Sequence, residues 1–310
     1  MSLLLAVLLL PSLFWNKGPD TAKTLAQAGI HSISVPPSLA DSWKPAGNFT
    51  IQVVDPDHLI KLPVPGISFH EDEASATRAP WVNSNGWRFI RKPEGSFYYD
   101  APGAAASLAA AEAFMYDAHA VIHTDEAGLP LLGRMLQFLT KVGSADMQPL
   151  VNIGFIDDGS AASGEFMNLL VRRNLLFKVV QPADSQVDVK VALGSAQYPR
   201  SEAGNPVLLA EKVRANLTDE KRLLRLYGSD VVIGRLVGNG KRARLYLLNY
   251  GASKRAVEGI RVRILGAYSH PQLSANGVPQ AKLMDVSAKK TALEFTVPEL
   301  KEFAVVDLSP

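Results

Sequence analysis

Apolar residues recur along the first two thirds of the chain in short runs, separated by stretches with helical spacing. Such alternation of strands and helices is typical of a parallel α/β sheet. The apolar runs predict strands at residues 13–15, 31–35, 50–54, 66–69, 86–91, 96–99, 120–123, 150–156, 176–180 and 187–193. The helical spacing predicts helices at 21–28, 39–43, 104–116, 129–142, 164–174 and 207–217.

From about Ser229 onward the pattern changes to a period of two residues, which is typical of strands. Helices are absent from this part, and turn sequences such as Gly238-Asn239-Gly240 recur. Short alternating strands separated by turns predict an antiparallel β-sandwich or barrel. The predicted strands are 231–233, 243–249, 257–265, 280–286, 291–297 and 303–308.

The first thirteen residues, from Met1 to Leu13, are apolar and carry no charge. About ten apolar residues are too few to span a bilayer but suit a signal peptide, which predicts a secreted or periplasmic protein. No Lys or Arg precedes the run and no clear cleavage site follows it, so a buried first strand is the alternative. No later run reaches ~18 apolar residues, and the mature chain is expected to have no membrane span.

Composition narrows the classes of function. The 310 residues are 47% hydrophobic and 20% charged, as in ordinary globular proteins, and the length suggests about two domains. The absence of cysteine excludes disulfides, thiolate metal sites and cysteine nucleophiles. The net charge of +2 gives no field that favours nucleic acid.

A basic stretch between Lys241 and Arg263 holds seven basic residues and one acidic residue. Alternating strands would place many of these side chains on one solvated face. Nucleic-acid binding would require exposed aromatic residues among them, and these are scarce. We therefore expect no nucleic-acid partner.

Several signatures of common chemistry are missing. The sequence has no Gly-x-Ser-x-Gly elbow, no phosphate-binding loop and no His-Glu-x-x-His zinc motif. Gly238-Asn239-Gly240 lacks the third glycine of a dinucleotide-binding loop and lies in the all-β part. We therefore expect neither a cofactor nor a bound metal.

Carboxylates follow several of the predicted strands, at the edge where active sites of parallel sheets gather. Asp72 and Glu73 follow one strand, Asp100 ends another, and Asp125 follows a third. Glycoside hydrolysis needs two carboxyl groups, one as proton donor and one as nucleophile or base. These four residues are the predicted catalytic candidates. The predicted substrate-binding residues, which would form a floor against which a sugar stacks, are Trp81, Trp87 and Tyr99.

Other roles are open for the same residues. Asp20, Asp100 and Asp125 stand where helix N-caps are needed, and the two tryptophans can belong to the core. Asp157-Asp158-Gly159-Ser160 predicts a turn and a helix start. His70-Glu71-Asp72-Glu73 with His123 would offer imidazole and carboxylate ligands to a metal, which is the alternative to a metal-free site.

The order of parts resembles multidomain glycoside hydrolases of the β-galactosidase kind. The segment Leu150–Ile156, the helix after it and Leu175–Val180 look like the amidotransferase-like middle domain of those enzymes, and Arg244–Tyr250 looks like their terminal sandwich. The resemblance implies a (β/α) barrel, a flavodoxin-like α/β unit and a β-sandwich. The implied limits are 1–13 for the signal peptide, 14–148 for the barrel, 149–228 for the α/β unit and 229–310 for the sandwich.

The first of these domains is short for a barrel. About 140 residues precede Leu150, whereas an eight-fold barrel usually needs ~200 or more, so the barrel would be truncated or degenerate. No Asn-Glu dipeptide, the family's catalytic pair, occurs in the chain. Two hypotheses follow: an exported glycoside hydrolase acting through paired carboxylates, or a non-catalytic protein of the cell envelope that binds carbohydrate or another partner.

Overall fold

A computed structural model describes residues 11–69, 80–184 and 186–310. The chain divides into two compact units. The first unit comprises Met1–Val64 and Pro93–Ser144, and the second comprises Pro65–Lys92 and Ala145–Pro310. The domain limits drawn from the sequence stay predictions.

Strands and helices alternate in the first part of the chain, and strands alone occupy its last part. The helices are α1 (Ala22–Gln27), α2 (Ala40–Trp43), α3 (Gly86–Arg91), α4 (Ala105–Met115), α5 (Leu129–Val142), α6 (Ala161–Arg172) and α7 (Pro206–Lys221). The strands up to residue 200 are β1 (Ser12–Phe14), β2 (Ser32–Val35), β3 (Thr50–Val53), β4 (Ile60–Leu62), β5 (Gly66–Ser68), β6 (Trp81–Asn83), β7 (Ser96–Asp100), β8 (His119–His123), β9 (Gln148–Pro149), β10 (Ile153–Ile156), β11 (Phe177–Val179) and β12 (Val189–Ala192). The later strands are β13 (Leu224–Tyr227), β14 (Val232–Gly238), β15 (Ala243–Asn249), β16 (Val257–Leu265), β17 (His270–Ala275), β18 (Met284–Ala288), β19 (Ala292–Leu300) and β20 (Phe303–Ser309).

The first unit is built on a six-stranded sheet in the order β3-β2-β1-β8-β7-β4. All five pairings are parallel. Strands that follow each other within this unit are neighbours, except for β3 and β4, and the last strand pairs with the first. This is the order of consecutive βα units with a gap between β3 and β4, and the described residues contain no closed barrel.

The two faces of this sheet differ in character. Alternate residues such as Leu13, Ile33 and Ile122 are fully buried and form an apolar face. The residues between them, including Ser34 and Tyr98, form a second face that is rich in hydroxyl and imidazole groups. The alanine-rich helix α4 is buried over most of its length and contacts both β8 and α5. Small alanine side chains allow such close approach on every side of a helix.

The second unit combines a small parallel sheet with a β-sandwich. The parallel sheet has the order β11-β10-β12, and α6 packs against α7. Two antiparallel sheets follow, in the orders β13-β16-β19-β18 and β17-β20-β15-β14-β9. The last pairing of the second sheet is supplied by β9, which lies far earlier in the chain. The inner faces of the two sheets share one apolar core, to which Leu245, Leu247, Phe295, Val297 and Val306 contribute.

Two local predictions are wrong. Residues 86–91 form helix α3 instead of a strand, because six residues are too few to distinguish the two periods. The hydroxyl of Ser84 accepts a hydrogen bond from the backbone N–H of Gly86 and so helps to start the helix. Asp20 does not cap α1, since it lies within the short 3-10 turn that precedes this helix.

The basic residues of the 241–263 stretch do not share one face. Arg244 lies on the five-stranded sheet, where it pairs with Asp307, and Arg263 lies on the four-stranded sheet, where it pairs with Glu294. No helix in the described part of the chain has the length and apolar character needed to cross a membrane.

Candidate functional site

The candidate site lies at the carboxyl edge of the six-stranded sheet, the edge where its parallel strands end. β7 ends at Asp100 and β8 ends at His123, and the register places these two residues side by side. Oδ1 of Asp100 and Nδ1 of His123 are 2.8 Å apart. Phe14, at the end of β1, is the register partner of His123 on its other side, with ring centroids 6.4 Å apart.

The polar face leads up to this edge through further paired side chains. The hydroxyls of Ser12 and Ser34 are 3.0 Å apart, and Ser96 Oγ lies 2.8 Å from Nδ1 of His119. Between the two histidines of β8, the ring of Tyr98 packs edge-on against that of Phe14 at 5.6 Å. The face therefore offers hydroxyl, imidazole and aromatic groups in successive rows.

Exposure differs between the members of the pair. The side chain of Asp100 is 73% exposed, whereas that of His123 is 25% exposed. Burial, together with the charge of Asp100, raises the pKa of Tyr98 to about 12. Tyr98 therefore remains a neutral phenol at physiological pH, able to donate and to accept a hydrogen bond. The carboxylate of Asp100 bonds to His123 at the neighbouring strand end. It does not cap α4, which begins without a side-chain cap.

Asp125 connects two loops at the same edge through hydrogen bonds. Its Oδ1 accepts hydrogen bonds from the backbone N–H groups of Gly103 at 3.0 Å and Gly128 at 2.9 Å. These two bonds lower the pKa of the carboxyl group below its ordinary value. Asp125 therefore joins the loops that lead into α4 and α5, and it stays ionised at neutral pH.

An ion pair also borders the edge. Lys17, which follows β1, donates from Nζ to Oε1 of Glu126 at 2.8 Å. The same ammonium group lies 5.3 Å from the ring centre of Trp15, a fully buried side chain. Both partners of the ion pair remain substantially exposed, so they can meet a ligand in solvent.

Asp72 and Glu73, and with them the proposed metal ligands from His70 to Glu73, lie outside the described residues. Within the described ranges, no group of three or more histidine and carboxylate side chains is arranged to hold a metal ion.

The predicted sugar-stacking residues occupy different surroundings. Tyr99 is fully buried and donates a hydrogen bond to Glu112 of α4. Trp81 and Trp87 belong to the second unit. The guanidinium group of Arg172 lies 3.3 Å from the ring centre of Trp81, and that of Arg88 lies 4.3 Å from Trp87. Both indole rings thus take part in cation–π contacts within their own unit.

The turn predicted at Asp157–Ser160 starts helix α6, as expected. Its two aspartates also form ion pairs with arginine side chains. Ser160 caps the helix by accepting a hydrogen bond from the N–H of Ser163. Asp157 receives two hydrogen bonds from Arg91, at 2.8 and 2.6 Å. Arg91 was missed as a site of interest because its segment was interpreted as a strand.

His123 was considered only as a metal ligand, and its bond to Asp100 was not predicted from the sequence. The available signal was that both residues end strands that are consecutive in the first unit. Consecutive strands of a βα pattern usually pair, so residues at their ends become neighbours. The register, which decides whether the side chains meet, is not visible in the sequence.

Comparisons with known proteins give a fold but no family. No protein-family profile matches the chain, and no curated protein matches it. Among solved structures, α-L-fucosidase isoenzyme 2 from Paenibacillus thiaminolyticus aligns with a TM-score of 0.58 at 10% identity, covering 81% of this chain. This chain spans 65% of the fucosidase.

A β-galactosidase from Rahnella sp. R3 aligns over 90% of this chain and 63% of its own, with a TM-score of 0.42 at 10% identity. A GH42 β-galactosidase from G. stearothermophilus aligns over 96% of this chain and 63% of its own, with a TM-score of 0.36 at 7% identity. Likeness at this identity concerns the fold alone. The chain has a glycoside hydrolase-like α/β fold with additional antiparallel β-sheets.

Proposed function

We propose that this protein binds carbohydrate at the carboxyl edge of its six-stranded sheet without cleaving glycosidic bonds. The observation that carries the proposal is the double backbone hydrogen bond to Asp125. A glycosidase needs one carboxyl group that holds a proton near neutral pH. The two backbone hydrogen bonds lower the pKa of Asp125, which makes it a poor proton donor near neutral pH.

The groups that remain at the edge suit the recognition of hydroxyl groups. Asp100 offers a carboxylate acceptor, and His123 holds it in place through a 2.8 Å bond. Lys17 offers an ammonium donor. Sugar hydroxyls both donate and accept, so a mixed set of this kind can bind several of them at once. The glycoside hydrolase-like fold supports carbohydrate as the ligand class.

A glycan array probed with the full chain tests this proposal, followed by titration calorimetry on the best ligand. Asp100→Asn preserves shape but removes the charge, and we expect it to weaken binding at least tenfold. Asp117→Asn is the matched control, because Asp117 is exposed and lies just before β8, at the opposite edge of the same sheet. No glycan bound by the wild type, or equal binding by both variants, would contradict the proposal.

Hydrolysis is the second candidate function, favoured by the exposed carboxylate of Asp100 at a strand end in this fold. In that case Asp72 or Glu73 would supply the second carboxyl group. The test is turnover of a panel of aryl glycosides and oligosaccharides by the wild type, Asp72→Asn, Glu73→Gln and Asp100→Asn. Turnover that is lost in one or two variants with intact folding would establish a hydrolase and replace the binding proposal.

We further propose that the protein acts outside the cytoplasm, as the uncharged apolar run from Met1 to Leu13 suggests. Fractionation of cells that express the full chain, followed by mass spectrometry of its N-terminus, tests this. A protein recovered from the cytoplasm with Met1 in place would contradict it.

A further inference from the structure

A cavity of about 430 Å³ opens at one end of the five-stranded sheet of the sandwich. This volume falls in the range of small-molecule sites. The cavity lies wholly in the second unit and is separate from the carboxyl edge described above. The polar residues that line it are Arg242, Arg244, His270, Gln272, Asp307 and Ser309.

The strand register brings these side chains into two adjacent rows. Asp307 of β20 is the partner of Arg244 on one side and of Gln272 on the other. His270 is the partner of Ser309, two residues further along. Residues that share a row, or lie two apart on a strand, project from the same face of a sheet. The polar lining is therefore a direct product of the register.

Arg244 and Asp307 form a fixed floor. Nε and Nη2 of Arg244 donate to the two carboxylate oxygens of Asp307 at 2.6 and 3.0 Å. Arg244 is only 9% exposed, whereas the side chain of Asp307 is 47% exposed. A bidentate pair of this kind holds both side chains in one geometry, and it leaves carboxylate surface open to the cavity.

Arg242 adds a second guanidinium group to the lining, and this group is not engaged in an ion pair within the described part of the chain. Its backbone is held by the turn at Asn239, whose Oδ1 accepts a hydrogen bond from the N–H of Arg242 at 3.0 Å. Its side chain is exposed and has no hydrogen-bond or ion-pair partner among the described residues. With one of the two arginines neutralised by Asp307, the lining carries a net positive charge.

His270 supplies an imidazole ring to the lining. Its Nδ1 lies 2.6 Å from the carbonyl oxygen of Pro310 and 2.7 Å from Oγ of Ser269. A carbonyl oxygen only accepts, so Nδ1 is the donor in this contact, and Nε2 is the second hydrogen-bonding atom of the ring. The lining thus combines the Arg242 cation with a carboxylate, an amide and an imidazole group.

We propose that this cavity binds a sugar acid. The planar guanidinium group of Arg242 takes the carboxylate, since arginine matches that group with two parallel hydrogen bonds. Asp307, Gln272 and His270 take the hydroxyl groups of the sugar ring. The cavity lies in the second unit and the carboxyl edge in the first, so the cavity gives the protein a second and chemically different binding site.

Titration calorimetry of the full chain with D-glucuronate and D-galacturonate tests this inference, with glucose, acetate and phosphate as comparison ligands. We expect a uronate to bind at least tenfold more tightly than the comparison ligands. Arg242→Gln should weaken uronate binding at least tenfold. Gln272→Ala should weaken uronate binding while leaving that of acetate unchanged.

The matched control is Arg261→Gln, which removes the same charge from an exposed position on the four-stranded sheet. It should bind uronate as the wild type does, and so should Asp100→Asn, which separates this site from the carboxyl edge. The inference is overturned by no uronate binding or by equal loss in Arg261→Gln. Acetate or phosphate binding as tightly as uronate would also overturn it, because the ring would then contribute nothing.

Discussion

The hydroxyl of Tyr99 donates a hydrogen bond of 2.7 Å to Oε2 of Glu112, and both side chains are fully buried. This bond ties β7 to the middle of the alanine-rich helix α4. A buried carboxyl group that loses a partner keeps the cost of its desolvation. We expect Tyr99→Phe to lower the free energy of unfolding by about 1–3 kcal/mol, measured by urea denaturation.

Tyr98→Phe is the control for this prediction, because the neighbouring hydroxyl has no hydrogen-bond partner among the described residues. Its ring contact with Phe14 would be kept in the variant. Its free energy of unfolding should stay within about 0.5 kcal/mol of the wild type. If both variants lost the same free energy of unfolding, the bond from Tyr99 to Glu112 would contribute no more to stability than the hydroxyl of Tyr98 does.

Gly133 marks a close contact between α5 and the end of α1. A Cβ atom at this position would lie 1.9 Å from the carbonyl oxygen of Ala28. Alanine favours a helix over glycine by about 1 kcal/mol, but a backbone oxygen cannot yield as a side chain would. We therefore expect Gly133→Ala to destabilise the protein by about 1–3 kcal/mol, as judged by urea denaturation.

Gly47→Ala serves as the comparison within the same unit, since no atom lies within 4 Å of the Cβ it would add. This variant should unfold at nearly the same urea concentration as the wild type. If Gly133→Ala were as stable as Gly47→Ala, α5 would have to move away from Ala28 without cost, contrary to the packing described.

Arg91 and Asp157 form a two-bond ion pair whose side chains are only 16% and 13% exposed. Arg91→Lys keeps the charge but loses the fork, because an ammonium group cannot match both carboxylate oxygens in the same way. We expect a loss of about 1.5–3 kcal/mol in the free energy of unfolding of the second unit. Urea denaturation followed by tryptophan fluorescence measures it, since Trp87 lies against Arg91.

Arg214→Lys is the matched variant at a more exposed pair. Arg214 also bonds twice to one aspartate, Asp219, but its side chain is 54% exposed. Solvent screening limits such pairs to about 0–1 kcal/mol. An Arg214→Lys variant that loses more stability than Arg91→Lys would contradict the role of burial.

Asp158 links stability to pH. Hydrogen bonds from Ser163 and Ser160, followed by the contact with Arg200, hold the pKa of Asp158 well below its ordinary value of 3.8. A carboxyl group whose pKa is lowered in the folded state stabilises the protein above 3.8 and loses this contribution as the pH falls toward the lowered value. We expect Asp158→Asn to cost about 1.5–3 kcal/mol at pH 7, and its difference from the wild type to shrink below pH 3.8.

Urea unfolding of Asp158→Asn at pH 7, 5 and about 2.5 measures this dependence. Asp117→Asn is the reference, because that exposed side chain has no hydrogen-bond partner in the described ranges. A difference between Asp158→Asn and wild type that stays constant across this pH range would show that the carboxylate charge is not what matters.

Local pattern was enough to predict much of the fold. The strands at Ala243–Asn249 and Val257–Leu265 have the predicted bounds, because each is rich in apolar and β-branched or aromatic residues and is flanked by turn sequences. The predicted end of the last long helix at Leu217 coincides with the break at Thr218, where φ is +61° inside α7. Strand β17 was missed because His270–Ala275 contains few apolar residues and a proline.

The candidate site was less accessible, because its geometry depends on pairings between distant residues. Asp100 ends β7 and Asp125 follows β8, where the sequence places them, yet one bonds to His123 and the other to two glycine N–H groups. Nothing in the local sequence separates these outcomes. The sandwich cavity shows the same limit, since its lining comes from four segments between Ala145 and Ser309.

The six-stranded sheet must be curved, because its two edge strands, β3 and β4, are joined by a short connection. β3 and β4 lie at opposite edges, and five strand spacings in a flat sheet would separate them by about 24 Å. Only the residues between Val53 and Ile60 join them, including a 3-10 turn at Pro56–His58, and such a segment reaches about 20 Å at most. Since the chain must also return along the length of a strand, the sheet has to bend toward itself as an incomplete cylinder. In a closed barrel, hydrogen bonds between the first and last strands keep the sheet curved. Here the six connecting residues 54–59 keep it curved instead, and a longer connection should let the sheet flatten.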